Sequence, residues 1–236
     1  MQTQTLLSAF EVLYFTQHAY NLSPAEVTKQ IYLQEVLAVE SVIGPDFYAL
    51  LLADVIDYAG TPAWASGTTY YAGDLVVRLG MVYEATVTTT QDPNGGTDWT
   101  LAPKFDADCY NELWIRGLAW YLSCLVLSGA INLHANRIAP GGVVNLEGTD
   151  ARAVQEKAVS GVVNKLQNDA VAYMRVLTAW AVRANKDGES CAGVFDLFWP
   201  VKNARCDADG IARQNLTSYD YLIVGNNGII NPNGRL

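Results

Sequence analysis

Histidine and enzyme signature motifs are scarce or absent in this 236-residue sequence. The two histidines, His18 and His134, lie far apart, and a lone histidine is more often a surface or packing residue than a catalytic base. The sequence contains no G-x-S-x-G, P-loop, H-E-x-x-H or G-x-G-x-x-G motif. We therefore predict a protein that is not an enzyme and needs no cofactor.

Closely spaced cysteines are also lacking. The four cysteines form no C-x-x-C pair, and such wide spacing argues against zinc and against a dense disulfide framework. Cys191 and Cys206 could bridge a loop, but we expect reduced thiols, as in a cytosolic protein. Residues 207–210 resemble the start of a calcium loop without its later ligands, so no metal is predicted.

Charged residues make up only 17% of the chain and hydrophobic residues make up half, which is the composition of a globular protein. The net charge is −9, and residues 1–58 contribute seven acids against Lys29 alone. No segment forms a basic patch, so tight binding of phosphates is not expected. Residues 117–133 carry no charge, but their length is at the short limit for a bilayer span, and we expect a buried helix and no membrane partner.

Apolar residues at helical spacing predict helices over residues 24–40, 46–58, 107–135 and about 150–185. Ser23, followed by proline and then by Glu26, forms a capping-box pattern at the start of the first of these. Residues 187–236 are rich in glycine and asparagine, with one short apolar run at Tyr221–Val224. This composition predicts an irregular, extended C-terminal arm.

Residues 60–105 differ from these helical flanks. They are rich in Thr, Tyr, Val and Gly, and predict strands at Thr68–Tyr71, Leu75–Arg78 and Met81–Thr89 with turns between them. We call residues 60–105 the β-module. The predicted fold is mainly α: a helical bundle built from residues 1–59 and 106–186, an inserted small antiparallel β-domain, and an arm from 187 to 236.

Aromatic residues of the β-module are the candidate site residues of the chain. They could stack on the apolar faces of sugar rings, or they could form the core that so small a unit needs. The candidates for carbohydrate binding are Trp64, Tyr70, Tyr83 and Trp99.

The β-module resembles the small chitin- and cellulose-binding fold of carbohydrate-binding families 5 and 12. The resemblance implies a short antiparallel β-fold, with a glycan as a potential partner held by exposed aromatics. It rests on a tryptophan, Y-x-x-G-D-x-V, G-x-x-Y-x-A, a proline and a final tryptophan, which here are Trp64, Tyr70, Gly73, Asp74, Val76, Gly80, Tyr83, Ala85, Pro93 and Trp99.

The helical part, over roughly residues 5–185, resembles head-to-tail adaptor (connector ring) proteins of tailed phages. The resemblance is carried by the chain from Trp99 to Phe105, by Tyr110–Trp114 at the start of a buried helix, by Gly142-Val143-Val144 and by the helix of 150–185. It implies a virion structural protein in the phage neck, assembled in the host cytoplasm. About twelve copies would form a ring between the portal and the tail or neck proteins, through which DNA passes without sequence-specific binding.

Two alternatives to the adaptor remain open from the sequence. One is a carbohydrate-binding protein in which the β-module acts and the helices present it. The other is a different phage component, such as a tail-completion, capsid-decorating or host-adhesion protein.

Overall fold

The structure, a computed structural model, describes residues 5–16, 23–135, 149–186 and 188–208. It confirms the predicted class, a mainly helical protein with a small antiparallel sheet. The elements in these residues are α1 (Ala9–Thr16), α2 (Pro24–Ala38), α3 (Pro45–Ala53), β1 (Leu75–Arg78), β2 (Met81–Ala85), β3 (Trp99–Leu101), α4 (Asp108–Leu113), α5 (Ala119–Ala135), α6 (Thr149–Ala184) and α7 (Trp199–Ala208).

Two helix starts show how local sequence sets the element boundaries. At α2, the Ser23 hydroxyl accepts from the Glu26 N–H while the Glu26 carboxylate accepts from the Ser23 N–H, which confirms the predicted capping box. Ser8 and Glu11 make the same reciprocal pair at α1, where Ser8 N–H donates to Glu11 Oε2 at 2.8 Å and Glu11 N–H donates to Ser8 Oγ at 3.2 Å. Helix α1 is not among the helices predicted from the sequence, although this Ser-x-x-Glu spacing marks its start.

Helix α5 is the centre of the helical body, which comprises α1–α7. It packs against α6 and against α1 and α2. Gly117, in the π-helical segment Trp114–Leu118 that joins α4 to α5, lies against Tyr173 and Leu177 of α6, whereas Gly129 lies against α2. Among the described residues, one helix (Asp108–Leu133) is long and apolar enough to cross a membrane, but 72% of its most apolar window is buried within the protein, as in many core helices.

The β-module forms a three-stranded antiparallel sheet in the order β1-β2-β3, with its own small core. The predicted strand at Thr68–Tyr71 is wrong in extent, since only Tyr70 pairs there, with Thr89. The helix predicted over 46–58 ends at Ala53, because the following backbone pairs with residues 104–106. Ile56 N–H donates to the Lys104 carbonyl at 3.0 Å, and Asp106 N–H donates to the Asp54 carbonyl at 3.1 Å. We call residues 54–58 and 102–107 the stem.

The start of the predicted C-terminal arm belongs to the helical core. Phe195, Phe198 and Val201 are fully buried, and α7 begins at Trp199. The prediction of an extended arm beginning at residue 187 is therefore wrong as far as the described residues go. The rest of the arm, with Tyr221–Val224, and the Gly142–Val144 segment lie outside the described residues.

A disulfide joins Cys109 of α4 to Cys191, 82 residues along the chain. The expectation of reduced thiols, with Cys191 and Cys206 as the only candidate bridge, does not match this pairing. The bond joins the segment that leads into α7 to α4. Sequence spacing gave no indication of it, because the tertiary fold brings the two cysteines together.

Candidate functional site

Three of the four predicted carbohydrate-binding residues lie inside the β-module. Tyr70, Tyr83 and Trp99 are only 8%, 7% and 6% exposed, and the Tyr70 and Trp99 rings meet edge to face at 5.4 Å. Tyr70 and Trp99 also make polar contacts within the protein: Ala65 N–H donates to Tyr70 Oη, and Trp99 Nε1 donates to the Gln91 carbonyl. A buried ring offers no face to a sugar, so these three residues form the core, and the glycan-platform prediction is corrected for them.

Trp64 is the remaining predicted residue, and it is partly buried against the same core. The Arg78 guanidinium covers its ring at 4.8 Å from the centroid. Arg78 is held there by Asp92, with Nε at 3.0 Å from Oδ1 and Nη2 at 2.6 Å from Oδ2. The hydrogen bond from Arg78 lowers the pKa of the Asp92 carboxyl. This clamp occupies one face of Trp64 and positions the loop that follows Asp92.

A cleft of about 560 Å³ separates the β-module from the helical body. At its floor Lys104 Nζ lies 2.6 Å from Glu11 Oε1 and 5.1 Å above the Trp114 ring. Tyr58 Oη donates to the Pro103 carbonyl at 2.7 Å across the stem. The paired charges of Lys104 and Glu11 join α1 to the stem, so the module is fixed to the body by polar contacts as well as by the chain.

Glu35 of α2 is a buried carboxylate, 1% exposed, with a structural set of partners. It accepts hydrogen bonds from the backbone N–H groups of Leu6 (2.9 Å) and Leu7 (2.7 Å) and from the Tyr48 hydroxyl. Burial raises the pKa of Glu35, and the hydrogen bonds from Tyr48, Leu6 and Leu7 oppose that shift. The carboxylate ties the segment before α1 to α2 and α3.

Reactive and metal-binding groups are not assembled in the part of the chain that the structure describes. No group of three or more His, Cys, Asp or Glu side chains is placed to hold a metal ion there. Cys124 is buried, and burial raises the pKa of its thiol to about 12, which keeps it protonated and unreactive. Residues 207–210, which resemble the start of a calcium loop, lie beyond the end of the described side chains.

Helix α2 carries apolar side chains on the side that faces away from the core. Tyr32, Leu33 and Leu37 are 51%, 49% and 49% exposed, while Ile31 and Glu35 on the opposite side are buried. We call Tyr32, Leu33 and Leu37 the α2 face. Scattered exposed apolar residues are ordinary, but Leu33 and Leu37 lie one turn apart on the same side of the helix, with Tyr32 at the margin, and form a patch of the kind found at interaction sites.

Helix α6 also has an outward apolar strip. Val176 is 64% exposed, and the small residues Ala172 and Ala179, one turn away on either side, are exposed too. We call these three residues the α6 face. The apolar period of this helix predicted its core side. It gave no signal for the second strip, because that strip consists of two alanines and one valine among polar residues.

The described geometry therefore offers exposed apolar side chains on several helices, the α2 face and the α6 face among them, and a β-module with buried aromatics. It does not bring the predicted sugar-binding residues together on a surface. Comparisons of the chain with protein-family models, with curated proteins and with solved structures found no match.

Proposed function

We propose that this protein is a head-to-tail adaptor of a tailed phage, a virion structural protein that forms a ring between portal and tail. The observation that carries the proposal is the pair of exposed faces on the helical body. A ring built from identical subunits needs two different surfaces on each copy that complement each other, one for each neighbour. The α2 face and the α6 face lie on different helices and are unpartnered within the described residues of one copy.

The position of the β-module supports the same function. It leaves the body between α3 and α4 through the paired stem, and its sheet, turns and loops add no strand to the helical core. A unit attached in this way can project from a ring without interrupting contacts between helical bodies. The buried aromatics favour a structural role for the module over sugar stacking.

The charge of the chain is compatible with a DNA conduit. The formal net charge is −9, so a lumen lined by this protein would repel phosphates more than it would bind them. Passage of DNA requires a surface that does not retain it. The proposed partners of this protein are the portal, the neck proteins and further copies of the same chain.

Electron microscopy of the full-length protein mixed with the portal of the same phage tests the proposal. A small tag inserted after Gly95, where the turn has open space around it, marks the β-module in projections. We expect a ring of about twelve copies on the portal, with tag density on the outside. The untagged protein is the control for the assignment of that density.

Three outcomes would contradict the adaptor. Density on the capsid surface or tail tip would identify another virion component. A chain that ignores the portal but is retained on chitin would favour the carbohydrate-binding alternative, and equal retention of Trp64→Ala would argue against that alternative. Purified particles that lack the protein would exclude a virion role.

A further inference from the structure

We propose that the two exposed faces bind each other: the α2 face of one copy docks on the α6 face of the next copy, head to tail. This inference rests on the proposed ring and names the subunit interface within it. The occupant of each face is therefore a second copy of this chain.

Charge complementarity is the first reason for this pairing. Helix α2 and the π-helical segment after it, residues 24–43, carry Glu26 and Glu40 besides the buried Glu35, against Lys29 alone. Residues 159–184 of α6 carry three bases against Asp169. Opposite net charges around two apolar patches steer the patches together and disfavour the pairing of like faces.

The apolar surfaces have complementary shapes as well. The α2 face presents three large side chains, whereas the α6 face presents Val176 between two alanines. Large residues on one helix pack best where the opposite helix carries small ones, because the two backbones can then approach closely. Two copies of the α2 face would instead oppose bulky side chains.

The two faces lie on different helices, so each copy can bind one neighbour through each face. α2 and α6 meet the central helix at different places: Gly129 of α5 lies against Gln34 of α2, whereas Gly117, just before α5, lies against Leu177 of α6. A contact between α2 of one copy and α6 of another therefore leaves one α6 face and one α2 face unoccupied. Such a heterologous contact adds further copies until a ring closes.

The test uses three full-length variants. Leu33→Asp with Leu37→Asp blocks the α2 face, and Val176→Asp blocks the α6 face. Val87→Asp is the matched control, because Val87 is 49% exposed but lies in the β-module. Native mass spectrometry and sedimentation over a concentration series up to about 1 mM, the weak end of measurable association, report the oligomers.

We expect the wild type and the control to associate with concentration, and each blocked variant to bind itself at least about tenfold more weakly. A mixture of the two blocked variants should form heterodimers and nothing larger, because one variant retains the α6 face and the other the α2 face. Added salt should weaken this dimer.

Two results would overturn the interface. One is a wild type that stays monomeric throughout the series. The other is a mixture of blocked variants that stays monomeric while either variant alone associates like the wild type. The adaptor function is tested separately, by the presence of a ring on the portal. If such a ring forms but Leu33 of one copy lies far from Val176 of its neighbours, the adaptor function stands and this interface is wrong.

Discussion

Phe10 of α1 lies directly over Gly80, the second residue of the β1–β2 turn, so closely that a Cβ on Gly80 would stand 2.2 Å from Phe10 Cγ. Gly80 has φ +77° and the preceding Leu79 has φ +51°, as a two-residue hairpin turn requires. The glycine thus serves two purposes. It permits the turn, and it lets the helical body rest on the tip of the β-module.

Gly80→Ala should destabilise the protein by more than its backbone conformation alone explains. An alanine at positive φ costs about 1–2 kcal/mol, and displacing Phe10 should add about 1–3 kcal/mol. Gly95→Ala is the matched control, since Gly95 has φ +93° and nothing within 4 Å of its Cβ position. Urea denaturation measures the free energy of unfolding of each.

The double variant Phe10→Ala with Gly80→Ala separates the two causes. With the ring removed, Gly80→Ala should cost no more than Gly95→Ala does, so the two substitutions at positions 10 and 80 should be strongly non-additive. Equal costs for Gly80→Ala and Gly95→Ala in the wild-type background would show that Phe10 does not rest on the turn.

Replacing either of two glycines, Gly117 and Gly161, by alanine should change the stability of the protein, but in opposite directions. A Cβ on Gly117 would lie 3.1 Å from both Tyr173 O and Leu177 Cβ, atoms fixed on the backbone of α6, so Gly117→Ala should cost about 1–3 kcal/mol by forcing the helices apart. Gly161 of α6 has open space, and Gly161→Ala should stabilise by about 0.5–1 kcal/mol. Thermal unfolding of both variants gives the signs, and stabilisation by both would refute the close contact.

The helices of this fold could be predicted where the sequence carries the signal locally. Two such signals are the capping box of Ser23 and Glu26 and the apolar period of α6, each of which depends only on residues within the same helix. The structure confirms both predictions. The end of α3 could not be predicted in this way. Residues after Ala53 have helical composition, but their backbone groups pair with residues some 50 positions away, a gain that local propensity does not register.

The candidate site was harder to predict, for a related reason. Composition places Tyr70, Tyr83 and Trp99 in one small unit but does not indicate which rings face inward. A module with so few residues needs its aromatic side chains for its own core, whereas a larger module could expose some of them. The pairing of Cys109 with Cys191 likewise depends on how α4 and the segment before α7 pack.

Removing this disulfide should loosen the segment before α7. Cys109→Ala with Cys191→Ala should lower the free energy of unfolding by about 2–4 kcal/mol, because the unfolded chain is no longer cross-linked over a long loop. Amide exchange around Phe195 and Phe198 should rise first. A reductant should destabilise the wild type and leave the double variant unchanged, whereas an unchanged wild type would mean that the two thiols are not joined in solution.

Glu35→Gln should destabilise the protein although it preserves the shape of the side chain. The carboxylate accepts from Leu6 N–H and Leu7 N–H through different oxygens, and an amide offers only one acceptor, so one buried N–H loses its partner. A buried unsatisfied donor costs about 1–3 kcal/mol. Glu40→Gln, at an exposed glutamate of the same helical stretch, should have little effect in the same urea titration.

The stability that Glu35 contributes should fall as pH rises. Burial holds its pKa in the folded protein above the ordinary value of 4.5, so the folded state binds the proton more tightly than the unfolded chain does. That contribution is complete below pH 4.5 and is lost as pH rises through the raised pKa. The difference in unfolding free energy between the wild type and Glu35→Gln should therefore shrink as pH rises above 4.5 and through the raised pKa of Glu35. A wild-type advantage over Glu35→Gln that grows with pH would mean that the hydrogen bonds from Leu6, Leu7 and Tyr48 outweigh burial and lower the pKa instead.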